Sequence, residues 1–201
     1  MNLDSSRRAL RTQLRETARL QILDAAEHLI ATRGLHGAGI AQIARRAGIA
    51  VGTVYNYFTD RDALVRALFE WRRTTMRPQL LAVAADARRL AFEPRLRAFV
   101  RGVLATFDAH RRFIKVAIET EHLKPPGSTT ATDLATAIDD IFAAGVAERM
   151  VSAKHAPLAP LLLQGSIRAI VLRRTHDASS LVDAADGLVD MVLDGVRRRS
   201  K

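Results

Sequence analysis

The sequence predicts an all-α protein, and three observations support this fold class. Apolar residues recur at three- and four-residue spacing through most of the chain, which is the period of an amphipathic helix. Strand-like alternation with paired turn residues is missing throughout. The six prolines separate the periodic segments, at positions 78, 94, 125, 126, 157 and 160. A chain of 201 residues with 48% hydrophobic content is long enough to bury a core.

Composition excludes several kinds of site and favours one kind of partner. Cysteine is absent, so disulfides, thiolate zinc sites and cysteine nucleophiles are excluded. No stretch approaches 18 uninterrupted apolar residues and residues 1–20 contain no continuous apolar segment. We therefore expect no membrane span and no secretory signal, but a soluble, cytoplasmic protein. The net charge of +10, carried by 27 Arg and 4 Lys, points weakly to nucleic acid or another anionic surface.

The first helix is predicted over residues 15–33, because Gly34 can take the left-handed conformation that ends a helix at little cost. Its apolar stripe consists of Ala18, Ile22, Ala25, Ala26, Leu29 and Ile30. Upstream, arginines recur at every fourth position, namely Arg7, Arg11, Arg15 and Arg19. Two interpretations of this row stay open: a frayed, solvated N-terminus, or cations that contact nucleic-acid phosphates.

Two short helices are predicted next, over about 40–46 and 50–57, joined by the sequence AGIA. Ala44 is small enough for the helices to cross closely, and Gly48 supplies a positive φ in the turn. Apolar residues then attach the pair to the first helix, namely Ile43, Ala47, Ile49, Val54 and Phe58. This spacing is typical of a helix-turn-helix.

The second short helix carries more polar and aromatic groups than so small a unit can bury. With Val54 and Phe58 turned inward, several of its other residues must face solvent or a partner: Val51, Gly52, Thr53, Tyr55, Asn56 and Tyr57. Tyr and Thr hydroxyls bind phosphate oxygens, Asn reads a base edge, and glycine lets the backbone approach a phosphate strand. The alternative is that one tyrosine, Tyr55 or Tyr57, packs sideways on the first helix.

Residues 33–65, RGLHGAGIAQIARRAGIAVGTVYNYFTDRDALV, resemble the DNA-binding segment of TetR-family transcriptional regulators. The shared features are RG before the loop, IA followed by AG, and GT-aliphatic-Tyr-x-Tyr-Phe before a polar cap. The resemblance implies that residues 50–57 are the recognition helix and that double-stranded DNA is the partner. It also implies that Thr53, Tyr55 and Tyr57 contact DNA and that Arg61 binds a phosphate.

The chain departs from the family pattern at the starts of both short helices. The family usually has Ser or Thr where this chain has Gly39 and Ala50, and Ala50 forfeits a cap worth about 1 kcal/mol. A position that is often Lys is here Val51. Either Val51 contacts a thymine methyl group, or DNA binding is weaker and depends on other cations. Those cations are Arg45, Arg46, Arg61 and the N-terminal arginines.

A longer helix is expected to start at Asp60, whose side chain can cap free N–H groups, and to end near Met76 because Pro78 marks a break. Further helices are predicted over residues 79–91, 94–109, 111–123, 131–152, 158–175 and 180–198. Loops are expected over 124–130 and 155–160. We divide the chain into a DNA-binding domain, residues 1–60, and a helical regulatory and dimerisation domain, residues 61–201.

The last two predicted helices indicate a homodimer, because each has apolar or small residues on two faces. The second faces consist of Leu162, Ala169 and Leu172 in one helix, and Ala184, Gly187, Met191 and Gly195 in the other. A two-fold dimer presents two recognition helices and predicts a palindromic site. The alternative is a central helix in a monomer.

The preceding helices are candidates to line a ligand cavity, for which ordinary core packing is the alternative. Candidate lining residues are Phe99, Val103, Phe107, Phe113, Glu119, His122, Phe142 and Met150. No metal site or cofactor is expected, because the six histidines form no cluster. Nucleophile elbows and phosphate-binding glycine loops are missing, so we do not expect an enzyme.

The sequence therefore favours a dimeric transcriptional repressor that a small-molecule effector releases from a palindromic operator. The alternative is a TetR-like fold with weakened specific DNA binding, which acts through protein–protein interaction.

Overall fold

The computed structural model describes residues 3–123, 129–175, 177 and 179–196, and these form an all-α fold as predicted. Within those ranges the α-helices are α1 Leu3–Gly37, α2 Ile40–Ala47, α3 Val51–Tyr55, α4 Arg61–Ala87, α5 Phe92–Ala109, α6 Arg111–Glu119, α7 Thr129–Ala147, α8 Ala159–Arg174 and α9 Ala185–Val196. Short 3₁₀ turns occupy Glu121–Leu123 and Val182–Ala184. Residues 124–128 of the predicted loop and the end of the predicted last helix, 197–198, lie outside the described residues.

Helix α4 continues through Pro78 to Ala87, so the predicted break at this proline is wrong. Proline removes one helical N–H and crowds the preceding turn, but Pro78 lies on the exposed face. The opposite face stays buried on both sides of it, at Met76 and Leu80. Burial of this continuous apolar face outweighs the missing hydrogen bond.

One compact unit comprises residues 1–71 and 115–125. The predicted stripe of α1 is buried here, apart from the half-buried Ala18, and packs against α2. Ile43, Ala44 and Val54 have no exposed side-chain surface, and Phe58 is also buried. This small core supports the two short helices.

The second compact unit comprises residues 72–114 and 126–201. Its core surrounds α5, whose Phe99 and Val100 are completely buried against residues of α7, α8 and α9. Phe92 meets Phe142 edge-on, with ring centroids 5.9 Å apart. In the part of the chain that the structure describes, no helix is both long and apolar enough to cross a membrane.

Gly145 of α7 lies so close to Phe92 that a side chain would not fit. A Cβ atom at this position would lie 2.6 Å from Cδ2 of the Phe92 ring and 2.7 Å from Cγ2 of Val151. Such distances require the neighbours to move. The absence of a side chain here is therefore a packing requirement of the second unit.

We predict that Gly145→Ala lowers the free energy of unfolding by about 1–3 kcal/mol, because the core must shift to admit the methyl group. Chemical denaturation of the full chain measures this. In a Phe92→Leu background the added cost should be smaller, because part of the obstructing ring is gone. An equal cost in both backgrounds would contradict the packing argument.

Candidate nucleic-acid interface

The turn between α2 and α3 has the geometry that the sequence predicts. Gly48 is left-handed, with φ 72° and ψ 27°. Its N–H donates to the carbonyl of Arg45 at 3.3 Å, and the N–H of Ile49 donates to the carbonyl of Ala44 at 3.1 Å. These two bonds form a Schellman motif, which satisfies the carbonyls at the end of α2. With Ala44 buried, the two helices pack closely.

Neither short helix has a side-chain cap, which follows from the departures at Gly39 and Ala50. Both residues are extended, and neither makes a side-chain hydrogen bond to its helix. Their carbonyls still accept the first helical bonds, from Gln42 and Ile43 at 3.0 Å and from Thr53 at 2.9 Å. A five-residue helix has no stability of its own. Burial of Val54 and Phe58 therefore holds α3 in place.

A three-residue contact, which we call the Leu35 clamp, fixes the last residues of α1, which follow a break at Gly34 and precede α2. The N–H of Leu35 donates to Oε1 of Glu119 at 2.5 Å, and the Arg61 guanidinium donates to the carbonyl of Leu35 at 3.1 Å. Gly34 precedes the clamp with φ 76° and ψ 165°. The expected left-handed conformation is wrong here: φ is positive, but ψ places Gly34 in the extended region that only glycine adopts readily. A Cβ on Gly34 would also lie 2.9 Å from Oε1 of Glu119.

One side of α3, which we call the α3 face, is open to solvent. It consists of Val51, Gly52, Tyr55 and Asn56, all of them exposed. Val51 keeps 42% and Tyr55 55% of its surface exposed. Thr53 is half-buried beside this face, and Arg45 and Arg46 of α2 are exposed.

The second tyrosine lies differently, because Tyr57 packs beside α1. It is half-buried, its ring lies 6.4 Å from that of Phe58, and the Arg15 guanidinium lies 5.8 Å from its ring centroid. That distance is within the range of a cation–π contact. Of the two tyrosines, Tyr57 therefore takes the sideways position and Tyr55 stays on the α3 face.

Helix α1 is already helical at Leu3, so the upstream arginines lie along one edge of a continuous helix. Arg7, Arg11 and Arg15 are exposed. Arg19 is half-buried and pairs with Glu16 at 3.1 Å. Arg7 and Arg11 therefore extend into solvent, and the exposed Arg15 lies over the ring of Tyr57.

Asp60 caps α4 as predicted, because its Oδ1 accepts the N–H of Ala63 at 2.7 Å. This backbone hydrogen bond holds the pKa of the Asp60 carboxyl below its ordinary value. The cap orients the first turn of α4, in which Arg61 is half-buried. One guanidinium nitrogen of Arg61 serves the Leu35 clamp, and the other donors of this group can serve a phosphate.

The residues predicted to line a ligand cavity do not form one lining. Phe99, Val103, Phe113 and Phe142 are buried core side chains, and Phe107 is half-buried. Met150 and His122 are exposed, and Glu119 belongs to the clamp. The second unit has a cavity of about 10 Å³, which is room for one water molecule. Its lining residues are Arg77, Leu80, Leu81, Ala84, Thr130, Asp133 and Leu134.

Most of the residues predicted for a dimer interface are uncovered. Leu162, Leu172 and Met191 keep 66%, 41% and 71% of their surface exposed. Ala169, Gly187 and Gly195 are exposed as well, whereas Ala184 is half-buried. Leu158, the residue before α8, and Leu161 within it are both 62% exposed. Together these residues make an apolar surface on α8 and α9.

Sequence reasoning missed the clamp and the contact between Arg15 and Tyr57. Glu119 and Leu35 are 84 positions apart, and no local pattern relates them. Over the described ranges, no three His, Asp or Glu side chains group closely enough to hold a metal ion.

Comparison with known proteins agrees with this geometry. Residues 22–68 match the family model described as bacterial regulatory proteins, tetR family. A protein named HTH-type transcriptional regulator BetI, from Paraburkholderia phytofirmans, is 41% identical over 101 residues, which are 49% of this chain and 48% of that protein. Its namesake in Burkholderia mallei is 40% identical over 101 residues, 47% of each chain. The chain thus spans about half the length of the curated relatives it matches.

Solved structures share the fold over nearly the whole chain. The ketosteroid transcriptional regulator KstR2 of Mycobacterium tuberculosis has a TM-score of 0.71 and 18% identity, covering 90% of this chain and 95% of that one. The regulator FadR from Bacillus subtilis, in complex with stearoyl-CoA, has a TM-score of 0.69 and 20% identity, covering 89% and 99%. At 18% and 20% identity these two structures show a shared fold. The BetI proteins are named as transcriptional regulators and not as enzymes.

We predict that Glu119→Ala destabilises the first unit by about 1 kcal/mol, because the N–H of Leu35 loses its acceptor. Loss of a hydrogen-bond partner costs about 1–3 kcal/mol for a buried group, and the cost is at the low end here because the Glu119 carboxylate is exposed. Amide exchange at Leu35, followed by NMR, should accelerate. Glu119→Gln is the control, since its amide oxygen can still accept the bond. Equal amide exchange rates at Leu35 in the two variants would contradict the hydrogen bond between its N–H and Glu119.

Proposed function

We propose that the chain, whose residues 22–68 match the TetR family model, is a DNA-binding repressor that acts as a homodimer. In this proposal residues 1–60 bind a palindromic operator, and residues 61–201 dimerise and bind a small-molecule effector that releases the DNA. The observation that carries it is the α3 face, an uncovered surface of apolar, aromatic and amide groups on the second helix of a helix-turn-helix.

The α3 face has the chemistry of a major-groove surface. Asn56 offers a donor and an acceptor that suit the edge of adenine, and Tyr55 offers a hydroxyl to a phosphate. Gly52 has open space around its backbone, since no other group lies within 4 Å of where a Cβ would stand. A phosphate strand can therefore approach the start of α3 closely.

Val51 makes the apolar contact of this proposal. It is the first residue of α3 and is 42% exposed, with no cationic group in its own side chain. A valine methyl group in the major groove meets the C5-methyl group of thymine favourably. We therefore assign Val51 to sequence reading and not to charge neutralisation.

Arginines around α3 would supply the phosphate contacts. Arg45 and Arg46 end α2 beside the turn, and both are exposed. Arg61 adds its remaining donors at the start of α4. Arg15 adds a charge held over the ring of Tyr57, and Thr53 contributes a hydroxyl. Several separate cations predict binding that weakens steeply as salt rises.

The uncovered surface of α8 and α9 supports dimerisation. Leu158, Leu161, Leu162 and Met191 each leave more than half of their surface in contact with water. Beside them, Gly165, Gly187 and Gly195 have open space where a side chain would stand. Apolar groups flanked by small residues suit close contact with the same surface of a second copy.

The effector part of the proposal has support at the level of the fold. One structure with the same fold was solved in complex with stearoyl-CoA. The buried aromatic side chains of the second unit, including Phe99, Phe142 and the half-buried Phe107, are the kind that line such cavities. With a cavity of only about 10 Å³, side chains would have to move to admit an effector.

Selection from genomic fragments tests the proposal as a whole. Fragments retained by the full chain should share an inverted repeat, and each should outcompete random duplex by at least about a thousandfold. Retention of random fragments with equal affinity would contradict it. A protein that acts through protein–protein contacts would retain no fragments at physiological salt.

We predict that Val51→Ala weakens binding mainly to operators with thymine at one position of each half-site, by about tenfold. Fluorescence anisotropy with operators changed at that position measures this. Tyr55→Phe is the matched comparison, because loss of a phosphate contact should lower affinity for all of these operators alike. An equal loss on every operator for Val51→Ala would remove the thymine assignment.

We predict that Leu162→Glu converts the protein from dimer to monomer, because a charge cannot be buried unpaired in an apolar interface. Light scattering after size exclusion gives the mass directly. Leu90→Glu is the control, since Leu90 is 43% exposed and lies outside the α8 and α9 surface. A monomeric wild type, or a dimeric Leu162→Glu protein, would contradict the proposed interface.

A further inference from the structure

Helix α7 ends in a Schellman motif whose left-handed position is occupied by arginine instead of glycine. The N–H of Arg149 donates to the carbonyl of Val146 at 3.0 Å, and the N–H of Met150 donates to that of Gly145 at 2.9 Å. Arg149 has φ 60°, the one positive φ at a non-glycine position among residues 3–123, 129–175, 177 and 179–196. An L-residue there costs about 1–2 kcal/mol. The chain thus places a cation where glycine would be more stable.

Arg149 lines an open cleft of about 320 Å³ at the end of α7. The cleft is also lined by Val146, Val151, Ser152, Ala153 and Lys154. It therefore combines two cations and one hydroxyl with three apolar side chains. Arg149 and Lys154 are both exposed, whereas Val151 is 3% exposed and forms part of the floor.

Among the residues that the structure describes, no carboxylate pairs with the two cations of the cleft. Within the described ranges, neither Arg149 nor Lys154 makes an ion pair or a side-chain hydrogen bond, and nor does the Ser152 hydroxyl. The neighbouring carboxylate, Glu148, is engaged elsewhere, since its Oε2 accepts the N–H of Phe92 at 3.0 Å.

Several other cations of the same unit are paired. Arg77 binds Asp133 at 2.6 Å, and Arg97 binds Asp190 at 2.6 Å. Arg101 pairs with Asp186. Arg149 and Lys154 share the cleft without such a carboxylate partner among the described residues.

The segment that carries the cleft is held in place by backbone bonds. The N–H of Ser152 donates to the carbonyl of Val196 in the last turn of α9, at 3.1 Å. The carbonyl of Ser152 accepts from His155 and Ala156, at 2.9 and 3.2 Å. Nδ1 of His155 is itself buried without a partner among the described residues. The floor of the cleft is thus anchored on α7 and α9, which reduces the ordering that a ligand must impose.

We propose that this cleft binds a small organic anion with a phosphate or carboxylate head and a short apolar tail. Arg149 and Lys154 hold the head, and the guanidinium offers it two parallel N–H groups. Ser152 donates a third hydrogen bond. The tail lies against Val146 and Val151. The volume is at the lower end of the roughly 300–1,000 Å³ of small-molecule sites, so the ligand is small.

A simpler role for Arg149 is to compensate the negative end of the α7 dipole. That role needs no ligand and would leave the response to added anion unchanged when Arg149 is replaced. Replacing Arg149 with glycine separates the effect on stability from the effect on binding. The left-handed conformation predicts that the variant is more stable but binds the anion more weakly. Arg149→Gly relieves the backbone and removes a cation at the same time.

The experiment is thermal unfolding of the full chain with hexyl phosphate, at constant ionic strength, with inorganic phosphate and 1-hexanol as comparisons. Hexyl phosphate should raise the Tm saturably, inorganic phosphate less, and 1-hexanol not at all. Arg149→Gly should have a higher Tm than wild type without ligand, yet bind hexyl phosphate at least about tenfold more weakly. Lys154→Ala should weaken binding similarly.

Arg89→Ala is the matched control, because Arg89 is an exposed cation of the same unit outside the cleft. It should bind hexyl phosphate as wild type does. The proposal is overturned if Arg149→Gly keeps the full response, if Arg89→Ala loses it equally, or if 1-hexanol stabilises as much as hexyl phosphate. No DNA is present in these measurements, so the result is independent of the proposed repressor function.

Discussion

The backbone of Leu35 is held at both its N–H and its carbonyl, and the first unit depends on this constraint. Glu119 accepts from one side and Arg61 donates from the other, over a glycine whose extended, positive-φ backbone turns the chain. Any side chain at Gly34 would strain the backbone and press on the carboxylate. The direction in which α2 leaves α1, and with it the direction of α3, follows from this contact.

Tertiary contacts also explain how helix α3, which has five residues and no side-chain cap, can present a surface. Helix α3 has no side-chain cap and too few residues for stability of its own, so tertiary contacts hold it. Val54 and Phe58 attach it from beneath, and Arg15 and Tyr57 brace its far end. Because Gly39 and Ala50 provide no side-chain cap, packing stabilises the two short helices. The residues of the α3 face take no part in this packing and stay exposed.

Local patterns predicted local structure well. The helix-turn-helix, the left-handed Gly48 and the Asp60 cap each follow from residues within a few positions of one another. Features that join distant residues could not be predicted. Helix α4 continues through Pro78 because of burial on its other face, and Glu119 meets Leu35 across 84 positions. The predicted helix 131–152 extends past the end of α7 at Ala147. Residue propensity could not predict this end, because Arg149 takes a left-handed conformation that arginine disfavours.

The central claim is that the α3 face touches DNA. Photocrosslinking from benzoylphenylalanine in place of Tyr55, with a pool of genomic fragments, tests it most directly. The account predicts crosslinked fragments that share an inverted repeat, and none from the same group placed at Leu90. Crosslinks from both positions alike, or from neither while DNA is bound, would contradict it.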